Sequence, residues 1–201
     1  MKSLKLPILL ELLKKVDKHN AKVTRKSLNH VPEYYINVLL GEQIHKLGYR
    51  IEFEMHTDNV IKALNISEST LNQAMSQGVD LRSGRVDLVV KTPELESFKH
   101  IIEIKRGAKA GGLEKDIRRI NYFSDTANKR SVQRGFIVFV TGTTPDTVVK
   151  KLTELEQKIG SSIEGDYFQS ILNNNKEYTN NTDNTPFTKD TPIYVWCCEV
   201  R

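Results

Sequence analysis

Apolar positions along the chain switch between helical and strand periods, and the switches mark out its elements. In residues 4–19, Leu9, Leu12, Leu13 and Val16 recur at helical spacing, while Lys14, Lys15 and Lys18 face away. That is the pattern of an amphipathic helix packed by one face. Residues 20–31 are polar and basic and are expected to form a loop or a short helix. Pro32 opens a second helix, over about residues 33–46, with Gly48 as its stop. Ile36, Leu40, Ile44 and Leu47 form its core stripe; Glu33 shares that stripe, and Glu42 lies to the side. An alternating segment at residues 49–54 reads as a strand ending in Glu54.

Residues 56–82 break the pattern. Two short helical clusters, the second capped by Ser67, make this a helical insertion between strands of one sheet. It lacks the basic second helix that a DNA-reading helix-turn-helix would need. Two aliphatic strands follow, at residues 84–90 and 101–105, with the connection around residues 93–97. A helix is expected over about residues 113–128, a buried strand at 135–140 and a helix at 145–159 striped by Val148, Val149, Leu152, Leu155 and Ile159. Residues 173–192 are rich in Asn, Thr and Asp and read as a surface loop, and residues 193–200 return as a strand. Hairpin pairing combined with a helix-linked strand predicts an α/β chain: a mixed sheet with helices on both faces. The 201 residues are expected to form a single domain.

The net charge of +5 is a mild basic bias that suits a nucleic-acid partner without requiring one. Cys197 and Cys198 are neighbours. In a strand they point to opposite faces, so no disulfide is expected and a reducing, cytoplasmic setting is. The apolar start is broken by Glu11, Lys14 and Lys15, and no stretch is long enough to span a membrane. His45, His56 and His100 each stand alone, without a partner at metal spacing.

Chemistry concentrates in the central strand pair. Side chains alternate across a strand, so Arg85, Asp87 and Val89 share one face, as do Ile101, Glu103 and Lys105. Paired as a hairpin, the strands bring Asp87, Glu103 and Lys105 together beside an aliphatic surface. Carboxylates in such a place are costly unless paired, and a divalent cation is one partner. A surface-facing strand pair with a plain Glu/Lys ion pair is the simpler alternative.

Asp87 followed by Glu103-Ile104-Lys105, on successive strands behind a helix that carries Glu33, resembles the PD-(D/E)XK nuclease superfamily over about residues 33–140. Val86 stands where the family usually has proline. The resemblance implies a restriction-endonuclease-like αβββαβ core, here with an added N-terminal helix and the helical insertion. It also implies Mg²⁺-dependent hydrolysis of DNA, with Mn²⁺ as a substitute. Asp87, Glu103 and the Ile104 carbonyl would be metal ligands, Lys105 would position or deprotonate the attacking water or steady the transition state, and Glu33 would complete the site, with Glu42 and Glu54 as alternatives. Arg106, Lys109, Arg118, Arg119 and Tyr122 are the expected nucleic-acid contacts, and Asp116 is a candidate helix cap or partner for Arg119. RNA remains open as substrate, as does a homodimer. A nuclease-like domain that binds nucleic acid or a protein without cleaving is the alternative. Glu156-Gln157-Lys158 carries the same three-letter spacing in a helix with no acidic strand before it, and is given no role.

Overall fold

A computed structural model describes residues 4–93, 98–126, 132–172 and 191–201. The elements are α1 (Leu6–Thr24), α2 (Glu33–His45), β1 (Arg50–His56), α3 (Thr57–Ala63), α4 (Glu68–Ser76), β2 (Arg85–Lys91) and β3 (Phe98–Arg106). There follow α5 (Ala110–Thr126), β4 (Arg134–Thr141), α6 (Pro145–Ile159), β5 (Ile163–Gln169) and β6 (Tyr194–Val200), with a 3-10 turn at Leu28–His30. The fold is α/β, with a six-stranded mixed sheet in the order β1-β2-β3-β4-β6-β5. β3 and β4 pair in parallel and every other neighbouring pair is antiparallel. Much of the expected connection at 93–97, the last two residues of the expected helix at 113–128, and most of the polar stretch 173–192 lie outside the described residues.

The strand alternation sorts the core into two halves. Leu88, Val90, Ile102, Ile104, Phe136 and Val138 pack with the leucines of α1 and with Ile36, Leu40 and Ile44 of α2. Val89, Ile101, Ile137, Phe139 and Trp196 pack on the other side with α3, α4, α5 and α6. As expected, the α3–α4 insertion lies between β1 and β2, and Ser67 Oγ caps α4 by accepting the Thr70 N–H at 3.2 Å.

Four expectations need correction. Leu47 and Val149 are exposed rather than in the core stripes; Leu47 lies past the end of α2, where the helical phase no longer holds. α1 runs on to Thr24, because its inward stripe continues as polar residues with partners. Asp17 accepts from Ser170 Oγ at 2.7 Å and the Ile171 N–H at 2.8 Å, and Asn20 Nδ2 donates to the Lys26 carbonyl at 2.7 Å. α5 begins at Ala110, turning two of the glycines read as loop (Gly111, Gly112) into helix. β5 was not expected: its sequence lacks clean alternation, and only Ile163 is buried. Full-length pairing with β6 holds it in the sheet.

Candidate active site

The site lies where β2 and β3 part. Their pairing runs from Lys91↔Phe98 to Leu88↔Ile102 and stops there, while β2 stays paired to β1 as far as Arg85 and β3 to β4 as far as Arg106. A fork of this kind leaves backbone donors without a ladder partner. The Asp87 carboxylate replaces the missing strand: its Oδ2 accepts the Ile104 N–H at 2.6 Å. Glu103, one residue beyond Ile102 and on the opposite face, with Ile101 and Lys105, is 1% exposed, which rules out the plain surface-facing ion pair. Lys105 is half-buried at the mouth, its Nζ 4.0 Å from Glu103 Oε2.

Burial pushes the Asp87 carboxyl above its usual range, against the opposing pull of the Ile104 N–H and the Lys105 charge. Burial raises Glu103 to about 8, opposed chiefly by Arg119. For Lys105, burial works downward, but the carboxylates of Asp116, Glu103 and Asp87 outweigh it and its pKa is raised. The three residues therefore act electrostatically as one cluster.

Glu33 enters from α2. Its Oε1 accepts the Arg106 N–H at 2.7 Å, fixing the end of β3, and its charge reaches Asp87. Glu42 lies apart, lining a surface cleft of about 470 Å³ with His45, Phe53 and Lys91. Glu54 accepts from Asn37 Nδ2 at 3.4 Å and adopts the left-handed backbone, φ 49°.

The five expected nucleic-acid contacts divide. Arg106 and Lys109 are exposed beside the fork. Arg118 pairs with Glu114 at 3.1 Å, and Tyr122 donates to Gln77 Oε1 at 2.5 Å. Both line a polar cleft between α4 and α5. Arg119 is not a surface residue: it is 6% exposed and contacts Glu103 Oε1 at 2.5 Å and Asp116 Oδ1 at 3.2 Å. Helical phase explains this, because Asp116, Arg119 and Ile120 share the inward face of α5 with Ile117. The pairing of Asp116 with Arg119 is as expected. Reading the buried stripe of α5 through its charged residues would have placed Arg119 inside. The second Glu-x-Lys is structural: Glu156 Oε1 accepts the Ile163 N–H at 2.6 Å, and Lys158 pairs with Glu114 at 2.6 Å.

Among the described residues, no group of three or more His, Cys, Asp or Glu side chains is arranged to hold a metal ion. The fork offers a carboxylate pair, Asp87 and Glu103, and Glu103 Oε2 is buried without a hydrogen-bond partner. Two hard oxygen donors fit Mg²⁺, which commonly takes one or two carboxylates and keeps several waters. No protein-family model matches the chain, and no curated protein or solved structure matches it.

Proposed function

We propose that the protein is a Mg²⁺-dependent nuclease of the PD-(D/E)XK type, with a restriction-endonuclease-like core, hydrolysing phosphodiester bonds in DNA. The observation that carries this reading is the fork: an acidic residue on each of two parting strands, with a lysine two residues after the second. Packing alone gives no reason to put these groups there, since aliphatic side chains of similar volume are often as stable as a buried ion pair.

Asp87 and Glu103 would hold the cation, with the Ile104 carbonyl as a further ligand. The N–H bond to Asp87 fixes the orientation of the Ile104 peptide. When bound, the cation supplies positive charge at the scissile phosphate and lowers the pKa of a water. Lys105, surrounded by carboxylates, is a cationic donor that orients the attacking water and steadies charge developing on the phosphate. Glu33 holds the end of β3 and completes the acidic rim. Arg106 and Lys109 supply exposed charge for the phosphate backbone, which positions a strand without reading its sequence. Two copies of the chain would cut the two strands of a duplex. A cytoplasmic setting fits Cys197 and Cys198, which are free and buried, and no helix among the described residues is long and apolar enough to cross a membrane.

A second reading keeps the fold without cleavage, as a domain that binds nucleic acid or a protein. The contact of Arg119 with Glu103 favours it, since a guanidinium already balances that carboxylate. Incubating plasmid, linear DNA and RNA with Mg²⁺ or Mn²⁺ separates the two. Wild type should cleave DNA, and Asp87→Ala, Glu103→Ala and Lys105→Ala should each lower the rate by about a hundredfold or more. Cleavage that survives all three changes refutes the site; no cleavage of any substrate by wild type favours the second reading.

A further inference from the structure

Four charged side chains close a ring behind the fork. Arg119 contacts Glu103 Oε1 at 2.5 Å and Asp116 Oδ1 at 3.2 Å. Asp116 Oδ2 lies 3.4 Å from Lys105 Nζ, and Lys105 Nζ lies 4.0 Å from Glu103 Oε2. Asp116 and Arg119 are more than nine-tenths buried. The ring sets two acids against two bases, but Glu103 Oε2 is buried without a hydrogen-bond partner and Asp116 Oδ2 has only the Lys105 ammonium, at 3.4 Å. Leaving such oxygens unbonded costs stability, so the ring is poorly explained as packing.

The arrangement is asymmetric in a useful way. Arg119 takes the oxygen of Glu103 that points toward α5, leaving Oε2 open. Asp116 lies closer to Lys105 than Glu103 does and draws the ammonium away from that oxygen. Without the Asp116 charge, Glu103 and Asp87 are the carboxylates left to draw Lys105; Glu103 Oε2, at 4.0 Å, is the stronger of the two, and the ammonium would settle on it. The lysine would then compete with a cation for the same atom.

The geometry points to Asp116 and Arg119 as positioning residues: Arg119 orients the Glu103 carboxylate, and Asp116 holds Lys105 off Glu103 Oε2 so that the oxygen stays available to a divalent cation. This inference rests on the reading of Asp87 and Glu103 as a cation site. It adds that the helix behind the fork keeps that site's lysine and glutamate from neutralising each other.

The test is binding of Mn²⁺ alone, followed by the loss of the free-ion electron paramagnetic resonance signal, with no substrate present. Wild type should bind Mn²⁺, and Asp87→Ala should abolish binding. Asp116→Asn, isosteric but uncharged, should weaken binding roughly tenfold, the size of effect seen when a group that orients a metal ligand is lost. Adding Lys105→Ala to Asp116→Asn removes the competitor and keeps the ring balanced in charge; affinity should return to near the wild-type value. A purely structural role for Asp116 would not give that recovery. Where the single variant fails to fold, the double variant is compared with wild type directly, and a weakened affinity overturns the inference. Unchanged binding in Asp116→Asn, or a double variant no tighter than the single one, also overturns it and leaves the cation site intact. Wild type that binds no Mn²⁺, or binds it equally in Asp87→Ala, overturns the cation site and this inference together.

Discussion

His100 sits inside the sheet on the α1 and α2 side, with ring centroids 6.0 Å from Tyr49 and 5.9 Å from Phe136. Burial, and then the charge of Arg134, lowers its pKa from 6.5 to about 4. The folded protein thus keeps the ring neutral at a pH where the unfolded chain protonates it. Between those two values the unfolded state binds more protons, so stability falls as pH falls. From about pH 7 to about pH 5 this group should cost on the order of 2 kcal/mol. Urea unfolding at the two pH values checks it: wild type should lose more stability than His100→Phe, and equal losses would remove His100 as the cause. Glu103 shows the same power of burial at a residue with a proposed job. Its spacing from Asp87 and Lys105 was legible in the sequence, because alternation fixes which face each takes. Its contact with Arg119 was not, because a charged residue on the buried stripe of a helix reads as a surface group until its partner is known.

At the scale of elements, close approach decides what each contact tolerates. A Cβ on Gly135 of β4 would lie 1.9 Å from Ile120 Cγ2, a branched side chain held between α5 and the sheet. Gly135→Ala should cost about 1–3 kcal/mol through overpacking, a fall in Tm of several degrees. A Cβ on Gly41 of α2 would meet the Phe53 ring at 2.5 Å, but that ring is 44% exposed and can swing into solvent. Gly41→Ala also gains about 0.5–1 kcal/mol of helix propensity, so its Tm should stay near wild type. Thermal unfolding of both variants tests the contrast, and a similar loss in both would contradict it. The helices and five of the six strands were legible because their apolar residues recur at one period. β5 was hidden because an edge strand with one buried residue leaves no alternating pattern. The end of α1 was hidden because Asp17 and Asn20 continue its buried stripe in polar form.

Across the whole molecule, the sheet separates two cores and brings four elements to one fork. β2 and β3 supply the acids and Lys105, α2 brings Glu33 to the end of β3, and α5 closes the back with Asp116 and Arg119. The central claim is that this fork binds a divalent cation for phosphodiester hydrolysis. Anomalous diffraction from crystals grown with Mn²⁺ tests its first half without needing the natural substrate. A single strong peak about 2.1 Å from carboxylate oxygens of both Asp87 and Glu103 is the predicted result. Crystals saturated with Mn²⁺ that show no peak at the fork, or a peak only at other residues, would contradict it.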